Sequence, residues 1–212
     1  MAMQIDQFDP RTTAVIVVDM QNDFIASGAP LETPMGRALL PTLSRLLDHA
    51  RQSGMSVIYT THAHRKSGCD MGMFAEIYPP IADRAGLIDE TSGIEIYPAV
   101  APQGDEIVIK KHRYSAFFGT DLDIILRSSG IKTVVVTGVT TENCCQSTAR
   151  DAMFLGYHVA FISDATGTYD YPDAGFGPIP AQDVHRVTLG ILAVSTAHVM
   201  TTDALIQKTI AA

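Results

Sequence analysis

Short runs of apolar, largely β-branched residues alternate with longer amphipathic stretches along this chain, and that alternation restricts the folds open to it. The runs lie at 14–19 (AVIVVD), 57–61, 107–110, 133–137 and 158–162, with 197–200 a weaker sixth. A run that is apolar at every position has no face to give to water. It suits a strand of a parallel sheet covered on both sides. Amphipathic periodicity predicts helices over 36–53, 121–129, 143–155, 181–193 and 202–211, and Gly54, Gly130 and Gly156 each stand just past one of the first three. Glycine is favoured there because the residue after a helix commonly turns left-handed. The repeated βα pattern predicts an α/β fold, a doubly wound sandwich with right-handed crossovers and a mostly parallel six-stranded sheet. In such sheets the ligand site lies beyond the carboxyl ends of the strands.

With 212 residues and no linker-like stretch, the chain is read as one domain, 1–212. Hydrophobic residues make up 46% and charged ones 18%, enough apolar surface for a large core. The net charge of -8 argues against an electrostatic grip on nucleic acid or on an anionic membrane. No apolar run approaches the roughly 20 residues that span a bilayer, and the N-terminus lacks a signal-peptide layout, so a cytoplasmic protein is expected. The cysteines are Cys69, Cys144 and Cys145: an odd number, two of them adjacent, and no CxxC pair. Free thiols are expected rather than disulfides or a zinc site. Two long segments rich in Gly, Pro and Asp, 64–102 and 164–180, read as functional loops or oligomer contacts.

Three polar side chains stand at strand ends. Asp19 closes the first run, Lys111 ends the third or begins the loop after it, and Cys144 follows the fourth in a turn that opens a helix. If the first, third and fourth strands are neighbours, the three groups meet at one edge of the sheet. A thiol at a helix N-terminus feels the positive end of the macrodipole, and a lysine beside it stabilises the thiolate further. These arguments put the Cys144 pKa below the roughly 8.5 of a free cysteine. A carboxylate next to both can take the thiol proton and return it to a leaving amine. Backbone N–H groups around Thr140 and Cys144 are expected to receive an oxyanion, since the first donors of a helix lack internal partners. Cys145, about a quarter-turn from Cys144, reads as a small core residue.

These residues fall in three segments that resemble the signatures of the isochorismatase-like cysteine hydrolases. They are Val17-Val18-Asp19-Met20-Gln21-Asn22-Asp23-Phe24, Lys111-His112-Arg113-Tyr114-Ser115-Ala116-Phe117-Phe118-Gly119-Thr120 and Thr137-Gly138-Val139-Thr140-Thr141-Glu142-Asn143-Cys144, the last continued by Ser147-Thr148-Ala149-Arg150-Asp151-Ala152. Order and spacing match from about Thr13 onwards. The resemblance implies a Rossmann-like three-layer α/β/α fold and a covalent acyl-enzyme mechanism. It carries the catalytic roles to Asp19, Lys111 and Cys144, choosing Lys111 over Lys110 by the Lys-x-Arg-Tyr pattern and Cys144 over Cys145 by spacing from Gly138. It also implies a cis peptide at Val139–Thr140 and a homodimer or homotetramer. Departures are Glu142, where Asn or Asp is usual, and Cys145, where a small apolar residue is usual.

Nicotinamidase relatives hold a metal with Asp-x-His and a later His. This chain has Thr61-His62-Ala63-His64 instead, so no metal and no other cofactor is expected, although the two histidines share a strand face. Phe24, Tyr114 and Phe117 are expected to line an apolar-walled pocket, with His62 and Glu142 as further substrate contacts. True isochorismatases cleave a vinyl ether and can dispense with the cysteine, so an intact Asp-Lys-Cys set favours amide cleavage. The expected partner is a small-molecule amide, carbamoyl or ureido compound that releases ammonia, with a leaning towards biuret or ureido substrates. The alternatives are vinyl ether hydrolysis and a non-catalytic interaction domain on the same fold. A nucleotide-binding protein is disfavoured because no GxGxxG or GxxxxGK[ST] follows any strand.

Overall fold

The computed structural model describes residues 3–211. Its six strands are β1 (Thr13–Val18), β2 (Ser56–His62), β3 (Ile107–Lys111), β4 (Thr133–Val139), β5 (His158–Gly167) and β6 (His198–Met200). They form one sheet in the order β3-β2-β1-β4-β5-β6, and every pair is parallel. This is the doubly wound order, whose direction of winding reverses between β1 and β4 and opens a crevice beyond their carboxyl ends.

The apolar runs become central strands because they alternate between two cores. Along β1, Val15 and Val17 enter one core while Ala14, Ile16 and Val18 enter the other. Helices α1 (Asn22–Ile25), α2 (Pro34–Ala38), α3 (Leu40–Ser53), α4 (Phe74–Ile77), α5 (Pro79–Ala82) and α9 (Thr202–Lys208) contribute apolar residues to, or border, the first core. On the opposite face lie α6 (Leu122–Ser128), α7 (Gln146–Phe154) and α8 (Ala181–Ser195), which contribute Leu122, Leu126, Ala149, Ala152 and Leu192. The result is the expected three-layer α/β/α sandwich.

Three boundaries differ from expectation for local reasons. The helix read over 36–53 is broken at Leu39, because Pro41 restarts it in a first turn where a missing N–H is harmless. β5 runs on to Gly167 across a register shift, so Ser163 and Asp164 interrupt its hydrophobicity but not its course. Segment 64–102 is not an open loop. It carries α4, α5 and two 3-10 turns, and it buries Phe74, Ile81, Leu87, Ile88 and Val100 in the first core.

At the winding reversal β4 presses against β1 so closely that no side chain fits. Gly138 has φ +101, and a Cβ there would lie 2.1 Å from the Val18 carbonyl oxygen. Gly138→Ala should therefore cost more than about 3 kcal/mol in a thermal or denaturant melt, because backbone rather than a flexible side chain would have to yield. Gly130→Ala, also at positive φ but with nothing within 4 Å, should cost only about 1–2 kcal/mol. Equal costs would mean the two strands do not meet as described.

Candidate active site

Asp19, one residue past β1, adopts φ 50. That left-handed conformation is uncommon for a non-glycine residue, and it aims the carboxylate back over the sheet edge. The Thr60 hydroxyl of β2 donates to Asp19 Oδ1 at 2.7 Å, and the Asp19 N–H donates to the Thr60 carbonyl at 3.2 Å. Gln21 then ties the loop to β2, its side chain accepting from His62 N–H at 2.8 Å and donating to His62 C=O at 3.0 Å. The Asp19 side chain is fully buried, and so is Lys111, whose Nζ stands 2.7 Å from Asp19 Oδ2.

Lys111 does not sit on a neighbouring strand, contrary to the adjacency expected of the first, third and fourth strands. β2 lies between β3 and β1, and Lys111 pairs in register with His62. The long, straight lysine side chain spans that extra strand, so the group still reaches the winding reversal. Its ammonium also donates to the Arg113 carbonyl at 3.0 Å and lies 3.4 Å from Cys144 Sγ. Burial works against that charge, but the Asp19 carboxylate and the Cys144 sulfur outweigh it and hold the Lys111 pKa above its ordinary value. Lys110, the other candidate, points to solvent and pairs with Asp89 at 2.6 Å.

Cys144 lies in a π-helical turn, Thr141–Cys145, that follows β4 and leads into α7; the Val139–Thr140 peptide before it is cis. The Thr140 carbonyl accepts from Cys145 N–H at 3.0 Å, which sets the wide turn. The Thr141 hydroxyl donates to His185 Nδ1 at 2.8 Å, while His185 Nε2 donates to the Ser163 carbonyl at 3.0 Å. His185 thereby links the nucleophile turn to α8 and β5. Nothing in the local sequence around 181–193 marks it out.

The lowered thiol pKa expected of Cys144 is overturned. The side chain is only 5% exposed. Burial pushes its pKa well above the ordinary cysteine value; Lys111 pulls it down but does not win, and Asp19 pushes it further up. The helix-terminus argument treated the thiol as half solvated, and it is not. Burial thus favours the thiol over the thiolate at rest. Cys145 is completely buried in the second core, with its thiol towards the Thr137 carbonyl at 3.6 Å.

Beyond these groups opens a cavity of about 610 Å³. Phe24, Tyr114, His62, Thr140 and Cys144 line it, as do Phe74, Leu31, Asn143, Tyr169 and Tyr171. Two expected substrate contacts are not in its wall. Phe117 packs on the second core, with its ring 6.0 Å from that of Tyr157. Glu142 lies behind the wall, its Oε1 accepting from the Tyr171 hydroxyl at 2.9 Å and from Asn143 Nδ2 at 3.2 Å.

Among the described residues, two groups of donors could hold a metal ion: Asp19, His62 and Cys144, and His64, Asp70 and His112. His62 and His64, which share a strand face, are thus divided between the two groups. The first group is the site already described. In the second, His112 Nδ1 is 2.6 Å from the Ala63 carbonyl, and the Asp70 carboxylate accepts from Arg65 N–H at 3.0 Å. Both ring nitrogens of His64 are buried without a hydrogen-bond partner among the described residues. The chain nevertheless has Thr61-His62-Ala63-His64 in place of the Asp-x-His of the metal-holding relatives, and on that ground activity should survive dialysis against EDTA. A loss that zinc, manganese or iron restores would assign His64, Asp70 and His112 to a metal.

Residues 13–204 match the isochorismatase domain model. The chain belongs to the isochorismatase family. A probable inactive nicotinamidase of Arabidopsis thaliana is 38% identical over 159 residues, covering 74% of this chain and 81% of that protein. An N-carbamoylsarcosine amidase of Arthrobacter is 35% identical over 159 residues, 73% of this chain and 59% of that protein. Among solved structures, a cysteine hydrolase from Pseudomonas syringae pv. phaseolicola superposes with a TM-score of 0.93 at 36% identity, covering 98% of this chain and 96% of that one. No helix among the described residues is long and apolar enough to cross a membrane.

Proposed function

We propose that this isochorismatase-family protein is a cysteine hydrolase that cleaves the C–N bond of a small amide, carbamoyl or ureido compound and releases ammonia. The observation that carries the reading is the meeting of Asp19, Lys111 and Cys144, a buried ion pair of 2.7 Å beside a buried thiol that lines a cavity. Two charges taken out of water are costly unless they serve something beyond stability. An N-carbamoylsarcosine amidase among the relatives supports the amide branch.

In this reading Asp19 takes the thiol proton as Cys144 Sγ attacks the carbonyl carbon, and Lys111, paired with Asp19, stands beside the developing thiolate and offsets its charge. Backbone N–H groups of Thr140 and Cys144 receive the oxyanion. Collapse breaks the C–N bond, and Asp19-H gives its proton to the nitrogen, which leaves as ammonia. Water, deprotonated by Asp19, then cleaves the thioester and restores the thiol with release of the acid.

The second reading, an inert protein on the same fold, draws on the relative named as probably inactive. A descendant released from catalysis has no reason to keep a buried carboxylate, ammonium and thiol in contact. An ammonia-release screen over biuret, ureido acids, maleamate, N-carbamoyl amino acids, nicotinamide and simple alkyl amides decides between them. Turnover that exceeds the Cys144→Ser background supports the hydrolase. No turnover of any of these amides, with the thiol inert to iodoacetamide, sinks it.

A further inference from the structure

The cavity above Cys144 has a character that none of the polar groups at its floor requires. At about 610 Å³ it falls within the range that holds a drug-sized ligand, well beyond the handful of atoms of an amide group. Its walls are Phe24, Leu31, Phe74, Ile81 and Leu87 on the side built by the first core, faced by tyrosines.

Three of the four tyrosine hydroxyls along the wall have protein partners. Tyr78 and Tyr114 share a hydrogen bond of 2.7 Å, and Tyr171 donates to Glu142 while accepting from Asn143 Nδ2 at 2.9 Å. The Tyr169 and Tyr171 rings stack at 5.0 Å, presenting aromatic surface. Burial pushes the Tyr169 phenol up to about 12, so it stays neutral.

Charge is the second observation. Glu32 is the one charged side chain among the described residues that line the cavity, and it is held by Arg37 and by the Gly28 N–H. His62 is buried, which works against a charge on it, and Lys111 adds to that. Lys111 is spent on Asp19, Cys144 and the Arg113 carbonyl. Arg113 lies behind Phe74, its guanidinium on the carbonyls of Asp70 and His112, and it is not part of the wall. A carboxylate entering this space would give up water and find no free cation among the described lining residues, which weakens its binding.

We propose that the cavity selects an uncharged primary amide, carboxamide or urea, joined to an apolar aliphatic or aromatic group, and rejects amides that carry a carboxylate. Catalysis of that amide rests on the hydrolase reading above; selection among amides rests on the cavity alone. The two therefore fail separately, provided binding is measured apart from turnover.

Binding is read by calorimetry on Cys144→Ser, with hexanamide and phenylacetamide against adipamic acid and N-carbamoylglycine. The uncharged pair should bind at least about tenfold tighter than the acids. Ile77→Arg sets a cation at the exposed rim of the same cavity, and it should erase at least half of that preference on a logarithmic scale. Acids that bind as well as the neutral amides overturn the inference, and so does failure of either neutral amide to bind. A preference that Ile77→Arg leaves untouched also overturns it, because charge would not be the cause. Tight binding of the neutral amides without turnover by the wild type leaves the selection standing and refutes the hydrolase reading.

Discussion

Lys111→Met should lower kcat/KM by at least about a thousandfold, while Lys110→Ala keeps most of the activity. The two side chains are adjacent on β3 and so point to opposite faces. Lys111 is buried against Asp19, whereas Lys110 makes an exposed pair with Asp89, of the kind worth about 0–1 kcal/mol. Lys111→Met alone leaves a buried carboxylate without its countercharge, so it should also lose about 3–5 kcal/mol of stability.

That loss could be mistaken for the whole effect, and the double variant Asp19→Asn/Lys111→Met separates the two. With both charges gone, the melting temperature should return most of the way to the wild type while activity stays absent. If activity returns with stability, the pair holds the fold and has no part in the chemistry. If Lys110→Ala proves the dead variant, β3 sits in the other register.

Strands such as β1 and β4 were legible because a short β-branched run buried on both faces suits a central strand of a parallel sheet. The neighbours of each strand were not, since a strand's hydrophobicity carries no record of what lies beside it. That is why the expected adjacency of the first and third strands passes over β2, which lies between them. A signal was present: Thr60 is a polar residue inside an apolar run, and it pairs in register with Val18, just before Asp19.

The site was legible where function demands a residue type, at Asp19, Lys111 and Cys144, and poorly legible where it demands only shape. Phe24 and Phe117 both follow signature residues, yet one faces the cavity and the other the second core. Tyr169 and Tyr171 escaped notice because they stand where β5 gives way to a segment read as loop; their i, i+2 spacing was the available clue. The thiol pKa was misjudged for a different reason. Helix-terminus and lysine effects can be argued from sequence, but the desolvation that outweighs them depends on how the cavity closes.

Cys144→Ser is the second large effect. An alcohol is harder to ionise than a thiol, and in a site that already pushes even the Cys144 thiol up, Asp19 has no prospect of generating an alkoxide. Turnover should fall by at least about 10³-fold, with substrate affinity kept. Cys145→Ser places a hydroxyl in the second core near the Thr137 carbonyl, so it should cost mainly stability and leave kcat within a few-fold.

The central claim is that a covalent bond forms at Cys144. Its most direct measurement is intact-protein and peptide mass spectrometry of the wild type quenched during turnover of a slow amide. The mass should rise by the acyl group, on the peptide that contains both cysteines. The adduct should persist in Cys145→Ser and vanish in Cys144→Ser. An adduct that survives Cys144→Ser, or full turnover in that variant with no adduct in any protein, would contradict covalent catalysis at Cys144.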